Sequence, residues 1–333
     1  MRIAVIGAGG WGTTLADLLA TQSHQIKIWA HEPEVVESIN RDHVNALFLA
    51  DSRLAEGITA HGELADVLSG AELIVSAAPS HAVREVSANV WTKLNGAEPP
   101  TVVSVSKGLE TDSLKTMSEV LEETLPGAPI VALSGPSFAQ EVYQRQPTAV
   151  VAASTDRDAA EAAQRAFSTG YFRVYTSDDL LGVQLGGALK NVIAIAAGLL
   201  HGLKLGSNTR AALITRGLAE MSRLGEAMGA NPMTFAGLAG MGDLILTATG
   251  VLSRNRALGI ELAEGRTLDE ILATRRTVAE GVRTARAAVQ LGKHAGVELP
   301  IASEVANILF EGKAPQRAVR DLMERELKAE NWR

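Results

Sequence analysis

The stretch from Gln184 to Leu200, QLGGALKNVIAIAAGLL, places one lysine among glycine, alanine and aliphatic residues. From Leu185 onward it has no proline and mostly good helix formers, which predicts a helix buried on nearly all sides. An ammonium group loses hydration there, so burial lowers its pKa from the ordinary lysine value of about 10.4. Lys190 is therefore a candidate general base. The alternative is a helix-end lysine whose stem lies on the core and whose head reaches the surface.

The glycines of this segment favour a packed helix. Gly182, Gly186, Gly187 and Gly198 each weaken a helix by about 1 kcal/mol relative to alanine, so they indicate close approach of another backbone or a ligand. The apolar run ends at His201, short of the roughly 20 residues that a bilayer span needs. We expect a core helix and no membrane insertion.

The first thirty residues predict a βαβ unit. Residues Arg2–Ile6 are a buried strand, Thr13–Thr21 an amphipathic helix and Ile26–Trp29 a second strand. Between the first strand and the helix lies GAGGWG, which fits the GxGxxG pattern of dinucleotide-binding turns. Backbone N–H groups at the helix start would then bind a pyrophosphate. The glycines of the pattern are Gly7, Gly9 and Gly12.

Further buried strands follow up to residue 177. They are predicted at Leu73–Ala77, Thr101–Val105, Ile130–Leu133, Thr148–Ala152 and Phe172–Tyr175. The loops after such strands open at the carboxyl edge of the sheet, where ligands bind. Three of these loops carry polar groups: His81, Lys107, and the turn 134–139, which is rich in backbone N–H groups and hydroxyls. Taken singly, His81 and Lys107 are better explained as solvated side chains.

Helical patterns dominate after residue 177, at 178–201, 208–228, 255–264, 267–273, 280–295, 301–310 and 315–330. At 333 residues the chain exceeds the usual size of a single core. We therefore expect an α/β N-terminal Rossmann-type doubly wound domain at 1–177 and an all-α C-terminal domain at 178–333. No flexible linker separates them, so the helix at the boundary joins them.

Two polar groups of residues interrupt the helical half. Asp243 lies between glycines and an apolar run in GMGDLILT and could orient Lys190 or titrate with it. Ser253, Arg254 and Asn255 stand at a helix start, where a serine N-cap, free N–H groups and a guanidinium suit a phosphate. A turn residue for Asp243 and a solvated helix arginine for Arg254 are the alternatives.

Composition excludes several functional classes. A formal charge of −7 argues against nucleic acid as a partner, and the absence of cysteine excludes disulfides and thiolate chemistry. The seven histidines show no metal-binding spacing, so we expect no metal. The N-terminal residues lack the apolar core of a signal peptide, which predicts a cytoplasmic protein.

Together these motifs resemble prokaryotic-type NAD(P)-dependent glycerol-3-phosphate dehydrogenase along essentially the whole chain. The run GALKNVIAIAAG at 187–198 matches the family pattern GALKN(I/V)xAxxxG, and the segments GAGGWG, SKGLE, LSGPSFAQEV, GMGDLILT, SRNR and VAEGV occur in the family's order. The resemblance implies reversible reduction of dihydroxyacetone phosphate to sn-glycerol 3-phosphate, the backbone of phospholipids. It also implies a homodimer.

The resemblance assigns roles residue by residue. It implies that Lys190 is the catalytic base. The positions that match substrate-binding residues are Lys107, Gly135, Ser137, Asp243, Ser253, Arg254 and Asn255. The positions that match cofactor-binding residues, with the glycine turn included, are Gly7, Gly9, Gly10, Trp11, Gly12, His31, Lys107, Ala139, Arg254, Val278 and Glu280.

Three alternatives remain. A β-hydroxyacid dehydrogenase pairs its catalytic lysine with an asparagine four residues on, but here that residue is Ala194. A ketopantoate reductase shares the architecture but gives no reason for SRNR. A non-catalytic NAD(P)H-sensing module would keep the glycine turn and lose catalytic groups, whereas this chain retains Lys190 and Asp243.

The end of the second strand predicts the cofactor preference. An NAD-specific fold places Asp or Glu there, about 20 residues past the glycines, to bind the ribose 2′-OH. Here the strand ends in Trp29, Ala30 and His31, and Glu32 is held extended before Pro33. We expect Glu32 to face solvent, so that both NAD and NADP work and NADP is preferred.

Overall fold

Short runs of aliphatic and β-branched residues form the strands in the first half of the chain. A computed structural model describes residues 1–275, 279–327 and 329–330. The strands are β1 (Arg2–Ile6), β2 (Gln25–Trp29), β3 (Val44–Asn45), β4 (Leu49–Arg53), β5 (Ile58–His61), β6 (Leu73–Ser76), β7 (Thr101–Ser104), β8 (Ile130–Ser134), β9 (Thr148–Ala153) and β10 (Phe172–Ser177).

Helices connect these strands and make up the second half of the described chain. They are α1 (Gly10–Ala20), α2 (Pro33–Asp42), α3 (Leu64–Leu68), α4 (Val83–Leu94), α5 (Met117–Thr124), α6 (Ala139–Tyr143), α7 (Arg157–Phe167), α8 (Leu180–Gly202), α9 (Ser207–Ala227), α10 (Pro232–Phe235), α11 (Asp243–Thr249), α12 (Arg254–Ala263), α13 (Leu268–Ala273), α14 (Glu280–Ala295), α15 (Pro300–Glu311) and α16 (Pro315–Met323). A 3-10 turn covers Ser80–Ala82 and a π-helical turn covers Leu238–Gly242.

Eight strands form one sheet in the order β10-β9-β8-β7-β6-β1-β2-β5. Pairing is parallel except between β8 and β9. The chain order reverses between β1 and β6, which is where open α/β sheets bind ligands. Both faces of the sheet are buried, Val5 and Val103 in one apolar cluster and Ala4 and Val102 in another. This is the Rossmann-type fold expected from the sequence.

Helix α8 is the core of the helical half. Its residues from Val183 to Leu200 are all buried. Two glycines make its contact with α12 unusually close: a Cβ at Gly198 would lie 2.1 Å from the carbonyl oxygen of Arg256, and one at Gly259 would lie 2.1 Å from that of Ile195. Backbone approach therefore explains Gly198 and likewise Gly186, where a Cβ would lie 2.6 Å from the carbonyl oxygen of Ala239.

Among the described residues one helix, α8, is long and apolar enough to cross a membrane, so the expectation that it is too short was wrong, but 94% of its most apolar window is buried inside the protein. The bent pair of segments Pro232–Thr249 and Arg254–Ala263 also passes that test of length and composition. Since α8 is enclosed by α9, α11, α12 and α14, we interpret it as a core helix.

Most predicted elements match within a few residues. The strand β5, the β3–β4 hairpin and several crossover helices had not been predicted, because they are short and only partly apolar. Helix α16 ends at Met323 instead of continuing to residue 330. We propose the domain boundary between residues 177 and 178, since β10 ends at Ser177 and the Asp179 carboxylate caps α8 by accepting from the N–H of Gly182 at 2.9 Å.

Candidate active site

The glycine turn after β1 forms an open cradle of backbone N–H groups. Gly7 has φ +116°, and a Cβ there would lie 2.9 Å from the backbone of Ala77; a Cβ at Gly12 would lie 2.0 Å from the carbonyl oxygen of Gly7. Gly9, by contrast, has no described heavy atom within 4 Å of its Cβ position. Helix α1 begins at Gly10, so its free N–H groups point into this space. The turn fits a dinucleotide pyrophosphate.

Other predicted cofactor residues surround this turn. The indole Nε1 of Trp11 is buried without a hydrogen-bond partner in the described structure, which leaves a donor for a bound group. Ala139 begins α6, and its carbonyl accepts from Thr14 Oγ1 at 3.3 Å, which joins α6 to α1. His31 is exposed at the end of β2, and Glu32 is the N-cap of α2. Val278 lies outside the described residues.

Two lysines meet at one buried carboxylate. Asp243, the first residue of α11, is 1% exposed; its Oδ1 accepts from Lys190 Nζ at 2.5 Å and its Oδ2 accepts from Lys107 Nζ at 2.7 Å. Lys107 Nζ also donates to the carbonyl of Gly135 at 2.8 Å. Lys190 comes from α8, Lys107 from the loop after β7 and Gly135 from the loop after β8. The site therefore joins the sheet edge to the helical half.

Burial lowers the pKa of Lys190 to about 8; the Asp243 carboxylate opposes this, while the charges of Lys107 and Arg254 lower it further. Burial alone would raise the pKa of Asp243, but the two ammonium groups outweigh it and lower that pKa. Lys190 thus keeps a partner and still titrates near the working pH, as a general acid–base group must. The snorkelling alternative is excluded, since the Lys190 side chain is only 8% exposed.

Thr247 and Asn191 complete the site, and the sequence had not assigned either a role. Lys190 Nζ donates to Thr247 Oγ1 at 2.7 Å, and that hydroxyl donates to the Asp243 carbonyl at 2.7 Å. Asn191 Oδ1 accepts from Asn255 Nδ2 at 2.9 Å. The available signals were spacing and adjacency: Thr247 is four residues after Asp243 on one helix face, and Asn191 follows Lys190.

The predicted phosphate residues lie at the start of α12. Ser253 is its N-cap and is 3% exposed, and its Oγ accepts from the N–H of Arg256 at 3.2 Å. Arg254 is exposed, and Asn255 is buried through its hydrogen bond to Asn191. Because Asn255 reaches α8 beside Lys190, the helix start lies next to the acid–base group.

The loop after β8 holds the remaining predicted residues. Ser137 Oγ donates to the Gly135 carbonyl at 2.9 Å, the same oxygen that Lys107 binds. Ser134 Oγ is buried without a described hydrogen-bond partner. The structure therefore brings together Lys107, Gly135, Ser137, Asp243 and Lys190, and leaves unpaired donors at their edge.

The chain matches two models of the family described as NAD-dependent glycerol-3-phosphate dehydrogenase. Residues 2–160 match the N-terminal model, and residues 179–320 match the C-terminal model. Glycerol-3-phosphate dehydrogenase [NAD(P)+] of Geobacter sp. (strain M21) is 54% identical over 332 residues, covering 99% of this chain and 98% of that protein.

Solved structures agree with this family. Glycerol-3-phosphate dehydrogenase from Coxiella burnetii is 38% identical, with a TM-score of 0.92 over 97% of this chain and 98% of that one. A ketopantoate reductase from Ralstonia eutropha JMP134 gives a TM-score of 0.61 at 16% identity, over 98% of this chain and 100% of that one. That second likeness concerns the fold alone.

We predict that Asp243→Asn destabilises the protein by about 3–5 kcal/mol at pH 7, because two ammonium groups lose the buried carboxylate between them. The remaining charge on Lys107 should also lower the pKa of Lys190 below about 8. Urea unfolding, followed by circular dichroism, measures the loss of stability.

The control is Asp42→Asn, which makes the same chemical change in an exposed pair with Arg41 and should leave the unfolding midpoint unchanged. If both variants lost equally little stability, Asp243 would not be holding the two lysines.

Proposed function

The chain belongs to the NAD-dependent glycerol-3-phosphate dehydrogenase family, and we propose that it interconverts dihydroxyacetone phosphate and sn-glycerol 3-phosphate with Lys190 as the acid–base group. The observation that carries the proposal is the buried ammonium of Lys190, which is held by Asp243 and Thr247 beside a helix start suited to phosphate. The nicotinamide cofactor, NAD(P), supplies or accepts the hydride.

Lys190 moves the proton. In the oxidising direction neutral Lys190 accepts the proton of the substrate C2 hydroxyl, and in the reducing direction its ammonium donates a proton to the C2 oxygen. With a pKa near 8, both forms are accessible close to neutral pH. Asp243 and Thr247 fix the Nζ at 2.5 and 2.7 Å, so the group is oriented before substrate arrives.

The remaining predicted residues bind substrate. We assign Lys107 to the substrate oxygens, since its ammonium lies beside Lys190 on the same carboxylate. Gly135 and Ser137 line that side of the site. The phosphate binds at the start of α12, where the residues are Ser253, Arg254 and Asn255.

The cofactor residues lie along the carboxyl edge of the sheet. Gly7, Gly9 and Gly12 with the start of α1 receive the pyrophosphate. Arg254 reaches from the helical half toward the same cleft. The other residues assigned to the cofactor are Gly10, Trp11, His31, Lys107, Ala139, Val278 and Glu280.

Three further properties are proposed from family membership. They are a cytoplasmic location, a homodimeric assembly and a product used as the backbone of phospholipids. The alternatives to a dehydrogenase of this specificity gain no support, because the β-hydroxyacid dehydrogenase asparagine is replaced by Ala194 and the Lys190–Asp243 pair of an active enzyme is intact.

We predict that Lys190→Ala folds but loses about 10²- to 10⁴-fold in kcat, because alanine favours the helix while the acid–base group disappears. In wild type, the rate of glycerol 3-phosphate oxidation should rise as pH increases through about 8, where Lys190 loses its proton. The rate of reduction should fall over the same range.

Steady-state rates in both directions measure these effects. Lys93→Ala, a lysine at the exposed end of α4, is the control and should behave as wild type. Turnover of Lys190→Ala within a few-fold of wild type would remove this residue from the mechanism.

We predict that Arg254→Ala raises KM for glycerol 3-phosphate by about 10- to 100-fold and also weakens the binding of NADPH. The reason is that a charge-assisted hydrogen bond contributes about 1.5–3 kcal/mol to binding. Glycerol, which lacks the phosphate, should be a very poor substrate of wild type.

The matched control is Arg173→Ala on β10, where the guanidinium packs on Tyr175. Equal specificity constants for glycerol and glycerol 3-phosphate would rule out the start of α12 as a phosphate site.

We predict that both NADH and NADPH serve as cofactors and that NADPH is preferred, because His31 and Arg254 can donate to a 2′-phosphate and we expect Glu32, at the N-cap position of α2, to face solvent. Initial rates at equal low cofactor concentration decide this. Glu32→Gln should change the ratio of the two rates little. A tenfold advantage for NADH that Glu32→Gln abolishes would show that this carboxylate binds the ribose hydroxyl.

A further inference from the structure

Ser80 binds a carboxylate from the other half of the chain. It begins the 3-10 turn after β6 and is 3% exposed. Its backbone N–H donates to Glu280 Oε1 at 3.1 Å, and its hydroxyl donates to Glu280 Oε2 at 2.5 Å. Glu280 is the first residue of α14. Both carboxylate oxygens are therefore held by one residue across the junction of the sheet and the helical half.

This contact lies beside the dinucleotide cradle. Strand β6 is the neighbour of β1 on the side where the chain order reverses. Ala77 and Ala78, at the end of β6, form the wall against which Gly7 packs, and Ser80 follows two residues later. The hydroxyl of Ser80 is thus built onto the rim of the cofactor cleft.

Gly108 makes room for the contact. A Cβ at this position would lie 2.6 Å from the Cβ and Oγ of Ser80 and 3.3 Å from Glu280 Oε2. Gly108 follows Lys107, whose ammonium binds Asp243. Three segments therefore meet at Glu280: the loop after β6, the loop after β7 and the start of α14.

The position of Glu280 is also tied to the catalytic helix. The N–H of Gly281 donates to Asn255 Oδ1 at 3.0 Å, and Asn255 Nδ2 donates to Asn191 Oδ1 at 2.9 Å. Asn191 is the neighbour of Lys190 on α8. A displacement of Glu280 would therefore move groups both at the cofactor cleft and at the start of α12.

We propose that Ser80 is a positioning residue for the nicotinamide cofactor, acting by fixing the carboxylate of Glu280 at the rim of the cleft. The proposal rests on the function proposed above, in which Glu280 contacts NAD(P)H. A carboxylate has about four lone-pair sites, and Ser80 uses two, so each oxygen can still accept from a cofactor hydroxyl or amide. Loss of the Ser80 hydroxyl leaves Glu280 free to turn away, which weakens cofactor binding more than proton transfer.

The test is a double-mutant cycle read as the Kd for NADPH, measured by isothermal titration calorimetry on the full chain. Ser80→Ala should raise the Kd for NADPH about tenfold, the size expected for loss of a hydrogen bond to a charged group. The kcat at saturating NADPH should fall less than about threefold. In the Glu280→Gln background, adding Ser80→Ala should raise the Kd for NADPH by less than about twofold, because the effects of substitutions at contacting residues are not additive.

Two further variants separate positioning from general damage. Ser87→Ala removes a hydroxyl of similar burial from α4, where it binds the Val83 carbonyl, and should leave the Kd within about twofold. Gly108→Ala should displace Ser80 and raise the Kd for NADPH even though Ser80 and Glu280 are both present. Thermal unfolding of each variant confirms that it is folded, and Gly108→Ala provides the test if Ser80→Ala is not.

An unchanged Kd in Ser80→Ala, or full additivity with Glu280→Gln, would overturn the proposal. These outcomes are separate from failure of the proposed function, which would appear as a wild-type protein that binds NADPH but does not oxidise it with dihydroxyacetone phosphate.

Discussion

The carboxylate of Asp243 lies between two ammonium groups that come from different halves of the chain. Taking three charges out of water is costly, and a buried ion pair is seldom a net source of stability. This arrangement fixes relative position. Lys107 can meet Asp243 only when the loop after β7 faces α11, and Lys190 can do so only when α8 packs against α11. The relative placement of sheet edge and helices is thus fixed by the group that also controls the charge of Lys190.

Dense helix packing makes this placement possible. Burial is the largest cause of the lowered pKa of Lys190, which lies on α8, and α12 packs closely on that helix. That approach requires Gly198 and Gly259, since a methyl group on either would lie within 2.1 Å of a carbonyl oxygen of the partner helix. These two glycines therefore fix how closely α12, whose start carries the predicted phosphate residues, lies against the helix of Lys190.

The sequence predicts a feature well where a single residue type satisfies a single local physical constraint. The glycine turn, the two-part architecture and Lys190 could be predicted because steric freedom, periodicity and an isolated charge are visible locally. Thr247 and Ser80 were not assigned roles, because a neutral hydroxyl carries no charge that points to a partner 57 or 200 positions away. The structure places Lys107, Gly135, Ser137, Asp243 and Lys190 close together. Their roles toward substrate and cofactor are proposals.

The most direct measurement is the titration of Lys190 itself, by NMR of the protein labelled with ¹³C at the lysine ε carbon and assigned with Lys190→Arg. The buried site predicts a midpoint near pH 8. The ordinary pKa of a lysine side chain is about 10.4. A midpoint for Lys190 at or above that ordinary value would contradict the central claim, because the ammonium could not then lose its proton at working pH.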